Sequence, residues 1–214
     1  MPLDRDHAFA DGPAFGRPKR GRRLKGAAAR SAEAWTRFES EAVIDATCLL
    51  GPNSWCVNSS GERSRITLDA GAICRGLLRV EKFGAGAIRI RSKAYVGDDC
   101  LLSSSVGIDI GEQVLIAHGV QIFDNDSHPL ESSARAGDFA AVLTHGARGV
   151  IAAAPVRIER RAWIGFHAII LKGVTVGENS VIAAGSVVTQ DIPANSVAAG
   201  NPARVIKSLL PADV

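Results

Sequence analysis

The chain has 214 residues, enough for one principal domain with extensions, and 46% of them are apolar although aromatics make up only 5%. With so few rings and 22 glycines, small aliphatic side chains must fill the interior, which suits narrow repetitive packing rather than a bulky core. The formal charge of +3 is uneven: residues 1–30 hold eight Lys and Arg against three Asp, and the remainder is slightly acidic. No apolar run approaches the roughly 20 residues of a membrane span. The opening MPLDRDHAFADG has no apolar stretch behind it, so no secretory signal is expected and a cytoplasmic protein is. Cys48, Cys56, Cys74 and Cys100 form no C-x-x-C pair and have no clustered histidines nearby, which argues against a zinc ribbon or a disulfide scaffold and for buried thiols.

Residues 1–26 are rich in Gly, Pro and Arg without periodicity, and read as a basic flexible arm. Its run RPKRGRRLK could touch nucleic acid or acidic lipid, but it lacks interleaved aromatics, which favours a solvated tail and no nucleic-acid partner. Residues 27–65 form an N-terminal extension. Within it AAARSAEAWTRFESEA (27–42) has helix-forming composition, with Ala34, Trp35 and Phe38 as its apolar face.

From residue 66 a repeat takes over. Aliphatics fall at Ile158, Ile164, Ile170, Val176, Ile182 and Val188, each six residues after the last. A small or β-branched residue follows four positions later at Ala162, Ala168, Val174, Ser180 and Ser186. An earlier block runs Ile90, Val96, Leu102, then Ile110, Ile116, Ile122, with companions Ala94, Cys100, Val106, Val114 and Val120; a weaker one runs Leu68, Cys74, Val80. An even period keeps each aliphatic on one face of a strand, whereas a helix would need 3.6. Gly-Asp-Asp, Gly-Glu-Gln and Gly-Glu-Asn (97–99, 111–113, 177–179) supply polar, φ-permissive corners. Three hexapeptides then make one triangular coil, and the coils stack with parallel pairing over 66–208. The eight-residue step from Leu102 to Ile110 puts two extra residues in one corner. Segment 129–155 breaks the period as a long loop, and 209–214 is a tail.

Of five histidines, His128 stands out, because it ends a coil strand at the start of the long excursion. Neutral imidazole suits a general base near neutral pH. A histidine that merely caps a turn before Pro129 fits the same position. Asp124, Asn125 and Asp126 could orient that imidazole, bind an acceptor hydroxyl, or form a turn. His118 and His167 occupy polar corner positions.

The hexapeptide [LIV]-G-x-x-[STAV]-x resembles that of left-handed β-helix acyltransferases, and 163–206 (WIGFHAII…NPARVI) is similar to their C-terminal coils. IGEQVLIAHGVQIFDNDSHPL (110–130) resembles the catalytic segment of the sugar O-acetyltransferase branch, typified by maltose and galactoside acetyltransferases. The resemblance implies an all-β, left-handed parallel β-helix and a homotrimer with active sites between subunits. It implies acetyl transfer from acetyl-CoA to a hydroxyl of a sugar or glycan precursor, with His128 abstracting the acceptor proton and no metal required. Carried over residue by residue, Trp163, Gly165 and Phe166 would line the thiol end of the donor. Ala184 and Gly185 would offer backbone hydrogen bonds to the pantetheine amides, and Thr189, Arg204 and Lys207 would lie near the nucleotide. Ser104, Ser105 and Asp126 would meet the acceptor. Two features depart from the family pattern: a serine run at 103–105 where Asn is common, and Gln190 where Lys often follows the Thr. Trimeric β-helix carbonic anhydrases bind zinc through interface histidines, but their H-x-x-x-x-H pair is absent here. Two other readings fit the sequence: N-acetylation of an amino sugar, serine or xenobiotic, and a non-catalytic scaffold that uses the basic arm to bind a partner.

Overall fold

The computed structural model describes residues 26–82 and 84–209, so the basic arm, apart from Gly26, and the tail beyond Leu209 lie outside the described residues. Helix α1 (Ala27–Glu41) forms where composition predicts it. Ala34 and Phe38, one turn apart, are buried at 1% and 0% exposure, with Trp35 packed partly against the same core. The helix touches strands on all three sides of the first coil and so closes that end of the prism.

The rest is a left-handed parallel β-helix of six triangular coils. Every third strand stacks into one of three sheets. In the first sheet Leu68, Ile90, Ile110, Ile158 and Val176 lie in register. In the second sheet the inward column is Cys74, Val96, Ile116, Ile164 and Ile182, and in the third it is Leu78, Leu102, Ile122, Ile170 and Val188. All fifteen are essentially inaccessible, and the six-residue period is thus the spacing between neighbouring sheets.

Four expectations change. The coils begin at Val43, with Ile44 opposite Leu68 and Leu50 opposite Cys74, rather than at residue 66. Ile44, Leu50 and Cys56 do keep the period, but the turn after Asn58 interrupts it before a fourth repeat. At the other end Ala203–Ser208 turns back antiparallel to Ser196–Gly200, so the chain closes on a hairpin instead of a further coil. Val106 is 43% exposed, because the two extra residues of its corner push it out. The glycines of the three corner tripeptides are needed for close stacking and not for a left-handed φ. Asp99, Gln113 and Asn179 take the positive φ, while a Cβ on Gly97, Gly111 or Gly177 would come within 2.4–2.8 Å of the backbone one coil away.

The outer faces differ. The second sheet carries an apolar column of Leu49, Ile73, Tyr95, Leu115, Trp163, Val181 and Val197. The first carries Arg89, Asp109 and Arg157 in the same register.

Candidate active site at an interrupted corner

Strand Gln121–Phe123 of the third sheet delivers the chain to the corner where the excursion begins. Asp124, fully buried, closes that corner. Its carboxylate accepts from the backbone N–H of Ser105 (2.7 Å), Val106 (2.8 Å) and Gly107 (2.6 Å), and from the Ser104 hydroxyl (2.7 Å). The two extra residues before Ile108 are folded around this one side chain. Ser104 and Ser105, which the resemblance set against an acceptor, are therefore turned inward, at 0% and 3% exposure. Ser103 is spent likewise, donating to Glu81 at 2.7 Å.

Asp126 is engaged by Lys172 Nζ at 2.7 Å, and its other oxygen is buried without a hydrogen-bond partner among the described residues. Ser127 sits at φ +62°, held by its N–H on the Asn125 side chain at 2.9 Å. That left-handed residue swings the chain so that the imidazole of His128 stands 48% exposed at the corner.

The segment read as a long loop contains helix α2 (Ser132–Thr144). Glu131 starts it, accepting from the N–H groups of Ser133 and Ala134, and the Ser133 hydroxyl first, and then these backbone bonds, pull its carboxyl down to about 2. His145, in the left-handed region, ends it. Phe139, Val142 and Leu143 are exposed, and Asp138 is the one buried residue of α2. Asp138 reaches His128, with Oδ2 2.6 Å from Nδ1. Arg148 grips the same carboxylate, Nε to Oδ1 at 2.8 Å and Nη2 to Oδ2 at 2.7 Å. The guanidinium first, and then the imidazole, hold the Asp138 carboxyl down to about 2. An ionised carboxylate only accepts, so Nδ1 is the donor, and in the neutral ring the lone pair is then on Nε2. A neutral histidine held in that tautomer, with the other nitrogen open to the surface, has a lone pair able to take a proton.

Neither Asp124 nor Asp126 orients the imidazole, which answers the question the sequence left open. Asp138 and Arg148 are not among the residues the sequence singles out, because 129–155 lacks the repeat and reads as loop. A signal was present: SSARAGDFAAVLTHG (132–146) has helical composition and stops at Gly146, and Asp138 is its one acidic residue.

The residues assigned to the donor lie elsewhere on the prism. Trp163 (46% exposed) stands on the outer face of the second sheet, and Phe166 (51% exposed) turns the following corner. Phe166 stacks on His118, 6° from parallel at 5.8 Å, and His118 lies 3.4 Å from Asp98. A Cβ on Gly165 would meet the Ala184 nitrogen at 2.7 Å, which makes this glycine a packing requirement. The Gly185 N–H is already used on the Phe166 carbonyl at 2.8 Å. Of the two corner amides, Ala184 alone has none of the described backbone acceptors. Lys207 pairs with Val197, placing it in one column with Trp163 and Val181, three strand spacings or about 14 Å from the indole position. Arg204 is on the same returning strand, and exposed Thr189 follows the last strand of the third sheet. Among the described residues, no group of three or more His, Cys, Asp or Glu could hold a metal ion. Nor is any helix there long and apolar enough to cross a membrane.

Comparison with known proteins places this geometry. The family model "Hexapeptide repeat of succinyl-transferase" matches residues 94–123 and 155–190. Galactoside O-acetyltransferase of Escherichia coli K12 is 38% identical over 122 residues, covering 57% of this chain and 54% of that protein. A maltose O-acetyltransferase from Clostridium difficile 630 is 30% identical with a TM-score of 0.52, over 79% of this chain and 70% of that one. A hexapeptide-repeat acetyltransferase from Vibrio cholerae, 26% identical with a TM-score of 0.55, matches 84% of this chain and 81% of its own; it has also been solved with acetyl coenzyme A. The chain spans about half the length of the curated relatives it matches.

Proposed function

We propose, since the chain belongs to the hexapeptide-repeat acetyltransferase family, that it transfers an acetyl group from acetyl-CoA to a hydroxyl of a sugar or glycan precursor. The observation that carries this reading is the pairing of His128 Nδ1 with the buried Asp138 carboxylate at 2.6 Å, which leaves Nε2 free at an exposed corner. His128 Nε2 takes the acceptor hydroxyl proton as the oxygen bonds to the thioester carbonyl carbon. The C–S bond then breaks, and the imidazolium returns the proton to the departing sulfur, so the protein ends as it began. Asp138 stabilises the imidazolium in between.

Acetyl-CoA supplies the activated thioester. The exposed Trp163 and Phe166 rings and the unused Ala184 N–H fit a pantetheine arm, since flat apolar walls and backbone donors without competing side chains suit an extended thiol-and-amide chain. Lys207 and Arg204 lie in the direction in which its phosphates would fall. The donor residues and His128 occupy different corners of one prism, so the working site is completed by a second copy in a homotrimer. The apolar column of the second sheet supports that reading, as does the uncovered apolar face of α2. A cytoplasmic location is part of the same proposal.

The test is to incubate the protein with acetyl-CoA and a panel of sugar, glycan and amino acceptors while following release of the CoA thiol. Hydroxyl acceptors should support turnover, and His128→Ala should lose roughly 10²–10⁴-fold in kcat. Release with amino acceptors alone, or a His128→Ala enzyme as fast as its parent, would overturn the proposal.

A further inference from the structure

Arg148 follows α2, ten residues beyond Asp138, and makes more contacts in the site than charge pairing requires. Besides its forked grip on Asp138, Nη2 donates to the Ser127 carbonyl at 2.5 Å and lies 3.2 Å from His128 Nδ1. Nη2 carries two hydrogens, and two oxygens closer than the imidazole take them: Asp138 Oδ2 and Ser127 O. None remains for His128. Were Nδ1 bare, it would face a nitrogen with nothing to donate and a carboxylate that only accepts, so the proton belongs on Nδ1. The guanidinium also sets a positive charge beside the ring, on the side of the carboxylate. A lone carboxylate there would favour imidazolium, which has no lone pair for the acceptor proton; a neighbouring cation disfavours it.

We propose that Arg148 is the positioning residue of the His128 base, with two separable duties. Its forked donors fix Asp138 and thereby the Nδ1–H tautomer, and its charge offsets the carboxylate so that Nε2 is left unprotonated. This rests on the reading of His128 as the base. The other charged groups nearby are placed differently. Asp126, two residues before His128, is held by Lys172 from the coil above. Glu81 and Lys82, after the third-sheet strand Leu77–Val80, and His145 at the end of α2 line, with Arg148, a cavity of about 620 Å³. Among the described residues, only Asp138 and Arg148 bring charged side chains within hydrogen-bonding distance of the imidazole.

Arg148→Lys keeps the charge and loses the fork, whereas Arg148→Gln loses the charge. Both should lower kcat by roughly 10- to 100-fold while leaving the KM for acetyl-CoA unchanged, because a small misplacement of the base costs about that much. Only Arg148→Gln should move the acidic limb of kcat/KM, upward by about one pH unit. Nitrogen-15 NMR of the His128 ring reads the same events without turnover: wild type should show protonated Nδ1 and bare Nε2, and Arg148→Gln should titrate at higher pH. A proton found on Nε2 of the neutral wild-type ring would overturn the proposal, as would an Arg148→Gln ring that titrates like wild type. If Arg148→Gln fails to fold, the wild-type tautomer and the unmoved limb of Arg148→Lys decide. A wild-type protein that releases no CoA thiol counts against the proposed function, and the NMR titrations remain readable.

Discussion

Two aspartates within fifteen residues show how position assigns one chemical group to different work. Asp124 receives three backbone N–H groups and a hydroxyl inside the prism wall, and holds together a corner that is two residues too long. Asp138 receives an imidazole and a guanidinium from the middle of α2, where it is the buried residue, and in the proposed reaction it would orient the base. Asp124→Ala should strand those buried donors at about 1 kcal/mol or more each, so the protein should lose about 3 kcal/mol or more. The loss would appear as a lower urea midpoint with an unchanged slope; a midpoint within experimental scatter of wild type would refute the assignment. At this scale the site was half legible. His128 could be picked out because it interrupts a period, and the Trp163–Phe166 segment because it carries a motif. Asp138 and Arg148 could not, because their contact with His128 spans ten and twenty residues across a segment with no repeat to fix register.

Helix α2 is an unusual element, since its one buried side chain is a carboxylate. Burial of apolar area contributes little to its docking, so an ionised Asp138 at one point and an ionised Glu131 at its start carry much of the load. Both carboxyls are depressed in the folded protein to about 2, below ordinary values of 3.8 and 4.5. A depressed folded value means stabilisation fully present above the ordinary value and lost as pH falls through the folded one. Amide-exchange protection factors over residues 132–144 should therefore collapse between pH about 4.5 and 2, while those of the aliphatic ladders persist. Uniform protection at both ends of that window would show that α2 is held by something else. The coils follow a different logic. Up to Val187–Val188 each strand is only two to four residues long, too short to stand alone, and is fixed by its neighbours in the stack. Gly97, Gly111, Gly165 and Gly177 belong to that stacking, where a methyl group would meet backbone.

The outer face of the first sheet is charged while that of the second is apolar, and the apolar column of the second sheet includes Leu115 and Trp163 at nearly half exposure. A lone soluble chain gains nothing from such a column. In the proposed homotrimer it would be covered, and Leu115→Arg would bury an unpaired charge costing several kcal/mol, on the order of a hundredfold in subunit affinity. Sedimentation velocity should then find trimeric wild type and largely monomeric Leu115→Arg. A wild-type monomer that retains full activity would sink the shared site.

The amino-acid sequence by itself determined the stacked coils, because a six-residue period with small companions leaves few ways to bury its aliphatics other than a narrow prism. It also determined where the prism is interrupted, since an eight-residue step and a missing period are visible in a string of letters. What fills the interruption was decided only by tertiary structure. The carboxylate that takes the imidazole and the guanidinium that takes the carboxylate meet when a helix without an apolar anchor settles on a corner, and Ser104 and Ser105 turn inward where the preceding corner folds around Asp124. Contacts of that kind are set by three-dimensional fit between non-repeating segments, and no periodicity records them.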